Sequence, residues 1–290
     1  MPRLDPSLRD SKTIVTPPEP SPRYIPKGPR PRTHRSHHQL QEAANPFVRD
    51  HTIGKHAVLP TTAVMSRIAN ACEQFQPDFT FFRVENFRAL KGIVFDESLG
   101  NEYILDLTER ARHPQAVTIE AMLWHTGPKG GPRYNYSGIF TLRLQLPSPP
   151  GYPFRGPFTP LDGNRNCYQD GTLFHGPLLA AVQRITKLDP SGLVIECCSP
   201  HLTQRDQGQF PVHSFNPYAA DVQFQAMAIW ARYAYDSAGL PARIETAEHF
   251  KPVPFEETYY VSLDVKSSDH NHVTANITQH NAQGVVYMRF

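Results

Sequence analysis

The stretch YAADVQFQAMAIWARYAYDSAGL, residues 218–240, has helical period and is apolar on most of its sides. A helix without a broad polar face cannot rest on a surface; other elements must wrap it. Gly239 and Pro241 mark its end. The extended runs around it, LVIECCSP, ETYYVSLDVKSS, HVTANITQ and GVVYMRF, read as strands. The same arrangement stands earlier. TTAVMSRIANACEQF, residues 61–75, repeats Val64, Ile68, Cys72 and Phe75 on one helical face, with Thr61 or Thr62 as N-cap. Strand-like runs follow it in FFRVENFRALKGIVF, EYILDLTE, AVTIEAMLWHT and RYNYSGIFTLRLQL. GPKGGP joins the last two as a hairpin.

Between the two sets lies PSPPGYPFRGPFTPLDGNRNCYQDGT, residues 147–172, too rich in Pro and Gly for regular structure. The pattern then resumes at FHGPLLAAVQRITKLD. Each helix is followed by a similar phrase, FRVENFRALKGIVF in the first half and ARIETAEHFKPVPF in the second, a weak internal repeat. The organisation expected is a Pro/Arg-rich disordered arm over 1–44, a first unit over 45–150, a linker over 151–172 and a second unit over 173–290. Two antiparallel sheets, each wrapped around one buried helix, form the simplest α+β fold consistent with it.

Composition narrows the function classes. The net charge is +2 with His neutral, and no basic run is interleaved with aromatics, which argues against nucleic acid. No stretch reaches the ~18–20 apolar residues of a membrane span. MPRLDPSLRD lacks the apolar core of a signal peptide, so a cytoplasmic protein is expected. Cys72, Cys167, Cys197 and Cys198 show no zinc-ligand spacing and read as reduced structural thiols.

Residues 50–60 read D-H-T-I-G-K-H-A-V-L-P, and residues 221–225 read D-V-Q-F-Q, preceded by Pro217. Between them stands FHGP, residues 174–177, and GLP follows at 239–241. In order and spacing these elements resemble the HxxxGxxxxP, Tyr/His-Gly-Pro and DxxxQ motifs of dehydratase domains in polyketide synthases and polyunsaturated fatty acid synthases. The resemblance covers roughly residues 45–290. It implies a double-hotdog fold whose halves share one active site, and a reaction that removes water from a 3-hydroxyacyl thioester in polyketide or fatty-acid biosynthesis. His51 and Asp221 would be the catalytic pair. Gly54, Lys55, Pro60, His175, Gly176, Pro177 and Gln225 would border the substrate.

That chemistry needs a base for the α-proton and an acid for the departing hydroxyl, on one face of the substrate. Neutral imidazole can accept near pH 7, and a carboxyl in an apolar tunnel can stay protonated and donate. Gln225, one helical turn beyond Asp221, would orient the carboxyl. The loop 54–60 and the following helix would offer backbone N–H groups to the enolate-like oxygen. His56, His201, His270, His272 and His280 read as surface residues. The reaction calls for no metal and no organic cofactor.

The resemblance further implies an acyl carrier protein with a phosphopantetheine-linked chain as partner, alongside other synthase domains or polypeptides; it leaves a homodimer open. Some positions depart from the family pattern. Lys55 stands where the motif has glycine, with Gly54 one residue earlier. His175 replaces a common tyrosine, and Leu179 a common phenylalanine. The chain stops at Phe290 within a strand-like run, as a fragment of a larger synthase or a truncated stand-alone form would. The same pair would also serve a product-template-like cyclase or a double-bond isomerase. A non-catalytic hotdog scaffold would have no need of both His51 and Asp221.

Overall fold

A computed structural model describes residues 31–156, 166–237 and 239–290. The first half comprises β1 (Thr33–His38), β2 (Thr52–Ile53), β3 (His56–Ala57), α1 (Thr61–Phe75), β4 (Thr80–Ala89), β5 (Tyr103–His113), β6 (Ala116–Thr126) and β7 (Pro132–Arg143). The second comprises β8 (Val182–Asp189), β9 (Gly192–Cys198), a single-turn α2 (Gln204–Gln207), α3 (Pro217–Tyr235), β10 (Arg243–His249), β11 (Thr258–Ser268), β12 (Val273–His280) and β13 (Val286–Arg289).

Eleven of these strands form one antiparallel sheet in the order β1-β5-β6-β7-β4-β10-β13-β12-β11-β9-β8. Each half thus contributes a curved sheet and a central helix, the double-hotdog arrangement. The two sheets join where β4 lies beside β10, with Val84 opposite Ala247 and Phe87 opposite Ile244. These are the strands that carry the repeated phrase.

The helices fill the sheets as their patterns require. On α1, Val64, Ile68 and Cys72 are buried, and on α3 Ala219, Val222, Ala226, Ile229 and Trp230 are. The helices also pack against one another. Three boundaries differ from expectation. Pro60, not a threonine, occupies the N-cap position of α1, and Thr62 is fully buried inside the helix. The second helix ends at Tyr235, because Asp236 turns left-handed with φ 48°. Residues from 31 to 44 are not an arm: β1 pairs with β5 over six residues, and Leu40 joins the core. Its sequence, THRSHH, shows no apolar alternation, because an edge strand is held mainly by its backbone ladder. The remainder of the expected arm, residues 1–30, lies outside the described residues.

The linker expectation also needs correction. Tyr152 donates its N–H to the Gly284 carbonyl, and Val286 donates to that of Pro150, so this segment runs against β13. Cys167 and Leu173 are buried in the core. The stretch 157–165 lies outside the described residues. His280 is not a surface residue: it is fully buried, bonds to Ser262 Oγ at 2.9 Å and stacks on Tyr152. Cys72, Cys197 and Cys198 are free thiols, and Cys167 is buried. No helix among the described residues is long and apolar enough to cross a membrane.

Candidate active site

The segment leading to α1 belongs to the first half by sequence but is bonded to the second. Asn45 donates to Gln209 Oε1 at 2.7 Å and accepts from the Gln209 N–H at 2.9 Å. Phe47 packs edge-on against Phe210 and Tyr218. Asp50 then docks the His-Gly-Pro segment: its carbonyl accepts from Gly176 N–H at 2.8 Å, and its carboxylate from Leu178 N–H at 2.7 Å. A Cβ on Gly176 would stand 2.4 Å from Asp50 Oδ1, so glycine is required there by close approach. One residue along each strand of this contact, His51 and His175 form a two-residue antiparallel bridge. Their rings lie edge to face with centroids 5.2 Å apart.

Asp221 comes from the first turns of α3. Asn216 caps that helix by accepting from the N–H groups of Tyr218 and Ala219. His175 Nε2 lies 3.2 Å from Asp221 Oδ2. One donor atom each from His51, His175 and Asp221 fall within 4.8 Å of one another. The exposures are 8 %, 8 % and 3 %, so the three groups meet away from bulk water. The Phe174 ring stacks on His175, faces His51 edge-on and is 42 % exposed, forming the outer wall.

Each side chain is oriented by a neighbour. His51 Nδ1 is 2.7 Å from the Val58 carbonyl; the ring N–H there leaves Nε2 with its lone pair. Gln225 donates to Asp221 Oδ2 at 3.2 Å and to the Leu179 carbonyl at 3.0 Å, while its Oε1 accepts from Tyr168 O–H at 2.8 Å. The Tyr168 oxygen in turn accepts from Val182 N–H at 2.9 Å. Tyr168 was missed in the sequence because it sits in a Gly- and Asn-rich stretch that reads as linker; a lone aromatic there was the only signal.

Electrostatics divide the pair. Burial lowers the pKa of the His51 imidazole, outweighing the pull of Asp221 towards the charged form. Burial also favours the neutral Asp221 carboxyl, but the hydrogen bond and charge of His175, the charge of His51 and the Gln225 amide together outweigh it. Asp221 therefore lies below the usual carboxylate range.

Pro177 opens the 3-10 turn Pro177–Leu179 that leads to β8. Pro60 is buried at the start of α1. Gly54, with φ +66°, makes the exposed turn between β2 and β3, and Lys55 beside it is exposed. The loop offers fewer free donors than expected: Val58 N–H is bonded to the His51 carbonyl and Leu59 N–H to that of Ile93, each at 2.9 Å. A cavity of about 420 Å³ lies elsewhere, between β8 and the end of α3, lined by Cys167, Ile185, Leu188, Ile229 and Arg232. None of the three central residues borders it.

Residues 27–122 match the family model of the polyketide synthase dehydratase domain, and residues 157–290 that of the polyketide synthase dehydratase N-terminal domain. The chain belongs to the polyketide synthase dehydratase family. Among curated proteins, this dehydratase-family chain is 25 % identical over 260 residues to a polyunsaturated fatty acid synthase subunit from Thraustochytrium sp.. The match takes in 87 % of the chain but 9 % of the length of that relative. Solved structures share the fold. The dehydratase domain of RzxB from Pseudomonas fluorescens superposes with a TM-score of 0.69 at 12 % identity, over 88 % of this chain and 91 % of that one. The dehydratase domain from the CurF module of the curacin polyketide synthase gives 0.66 at 13 %, over 92 % and 93 %. An enoyl-isomerase of a trans-acyltransferase polyketide synthase gives 0.56 at 13 %, over 88 % and 96 %.

Proposed function

We propose that this chain eliminates water from a 3-hydroxyacyl thioester carried on an acyl carrier protein, within a polyketide or fatty-acid synthase. The observation that carries the reading is the buried convergence of His51 from one half with His175 and Asp221 from the other.

His51 Nε2 takes the α-proton, and the electron pair of that C–H bond forms the new double bond as the bond from C3 to oxygen breaks. The leaving hydroxyl takes its proton from the His175–Asp221 pair. His175 Nε2, 3.2 Å from Asp221 Oδ2, shares the proton that the carboxyl donates. After release of water and the enoyl thioester, the proton on His51 returns through solvent to the pair. Gln225, held by Tyr168, fixes the carboxylate for this exchange.

The same fold serves an isomerase, so fold does not choose between the reactions. A group able to protonate a departing hydroxide is what dehydration needs and a double-bond shift does not. Incubation with 3-hydroxyacyl thioesters of several lengths tests the reading. Loss of water with growth of enoyl absorbance is expected. Migration of a double bond in an enoyl thioester, with no turnover of the hydroxyacyl compound, would select the isomerase. A ring-closed product would select the cyclase, and no turnover of any carrier-linked substrate would leave a scaffold.

A further inference from the structure

We propose that His51, His175 and Asp221 together bind a divalent transition-metal ion of the zinc class, and that the bound ion switches the site off. Two imidazoles and one carboxylate are the donor set such ions select, whereas magnesium and calcium demand oxygen ligands. The three donor atoms lie within 4.8 Å of one another. Bond lengths of about 2.0–2.2 Å place donors around one tetrahedral ion about 3.4 Å apart. His175 Nε2 and Asp221 Oδ2, at 3.2 Å, already meet that spacing, and the His51 donor atom lies within 4.8 Å of both.

Burial strengthens the case. Clusters of exposed acidic groups are common without an ion, because water screens their repulsion. Here all three residues are less than a tenth exposed, so their desolvation is a cost of folding rather than of binding. Two of the three are also held by a further neighbour, as metal ligands usually are. The Val58 carbonyl holds His51 Nδ1 and leaves Nε2 as the donor, and Gln225 holds the Asp221 carboxylate. Three protein ligands leave a fourth position open to water or to a thioester oxygen.

The ion would bind through the lone pair with which His51 accepts a proton, so base and metal site exclude one another. This inhibitory consequence rests on the proposed dehydration; the binding itself does not.

The full chain, freed of metal, is titrated with Co²⁺ and followed by visible absorption, and with Zn²⁺ by calorimetry. One equivalent is expected in a tetrahedral spectrum, Mg²⁺ in excess should not compete, and Zn²⁺ should displace Co²⁺. His175→Phe and Asp221→Asn should each weaken binding by at least about 10–100-fold, with near-ultraviolet circular dichroism reporting that both remain folded. The exposed histidines of β1 provide the control, and His34→Ala/His37→Ala should leave the site intact. Absence of the Co²⁺ spectrum, or a spectrum that survives both triad substitutions and disappears with the β1 pair, would overturn the proposal. Dehydration should fall as Zn²⁺ is added and return with a chelator; full activity at saturating Zn²⁺ would overturn the inhibitory half. Binding that follows the triad in a protein with no dehydration in metal-free buffer would leave the metal site standing and defeat the dehydratase reading.

Discussion

At the scale of the residue, the proposed chemistry turns on three buried groups and the contacts behind them. His51→Ala and Asp221→Asn should each lower dehydration by at least about 100-fold with the fold retained, the usual scale for losing a general acid or base. Rates within a few-fold of wild type in both would remove the pair from the mechanism. Because burial disfavours the imidazolium of His51, the base stays neutral to lower pH than a free histidine. The acid limb of the kcat/KM profile should therefore fall below the ordinary value of about 6.5; a limb at or above it would contradict the desolvated setting. Gly176 offers a structural test. Gly176→Ala pushes a methyl into the Asp50 carboxylate that docks the His175 segment and should cost about 1–3 kcal/mol. In the background of Asp50→Gly, which removes the whole side chain, the same change should cost much less, and equal costs in both backgrounds would refute the contact. His51, Asp221 and Gln225 were legible in the sequence as motif positions. The hydrogen bond of His175 to Asp221 was not, since a pairing across two distant segments leaves no local pattern.

At the scale of the element, long periodic segments were the legible ones. Both central helices and most strands stand where their periods put them, because each has a buried face that must recur at a fixed spacing. Elements held by backbone bonds or by single contacts were missed. β1 is the plainest: its Arg35 pairs bidentately with Asp106, which also accepts from Trp124, and its ladder covers the outer edge of β5. A chain beginning at residue 45 should therefore melt several degrees below one beginning at residue 31, at about 2–4 °C per kcal/mol for a protein of this size. Identical melting temperatures would show that the strand contributes nothing to stability. Tyr168 was hidden for a related reason, since its part in the site rests on one hydroxyl inside an otherwise irregular segment.

At the scale of the whole molecule, the halves share a sheet, a helix contact and a site. The legible repeat anticipated two similar halves, but register across β4 and β10 depends on both being folded and could not be read from either phrase. His249, at the end of β10, is packed between Phe81 and Phe215, and burial pushes its pKa down to about 4. An unfolded chain binds that proton near pH 6.5, before the folded one does. Stability should thus be full above about pH 6.5 and decline by roughly 3 kcal/mol as pH falls to about 4. His249→Phe should flatten that part of the pH–stability curve; an unchanged slope would place its origin elsewhere. The shared sheet also has a consequence for biosynthesis. While the ribosome is still making the second half, β4 has its partner β7 on one side and an open row of peptide groups on the other, until β10 emerges. An open edge of that kind can recruit strands from neighbouring nascent chains. The interval between the synthesis of Ala89 and that of His249 is therefore when this protein is most exposed to mispairing, and slow translation there would lengthen the hazard.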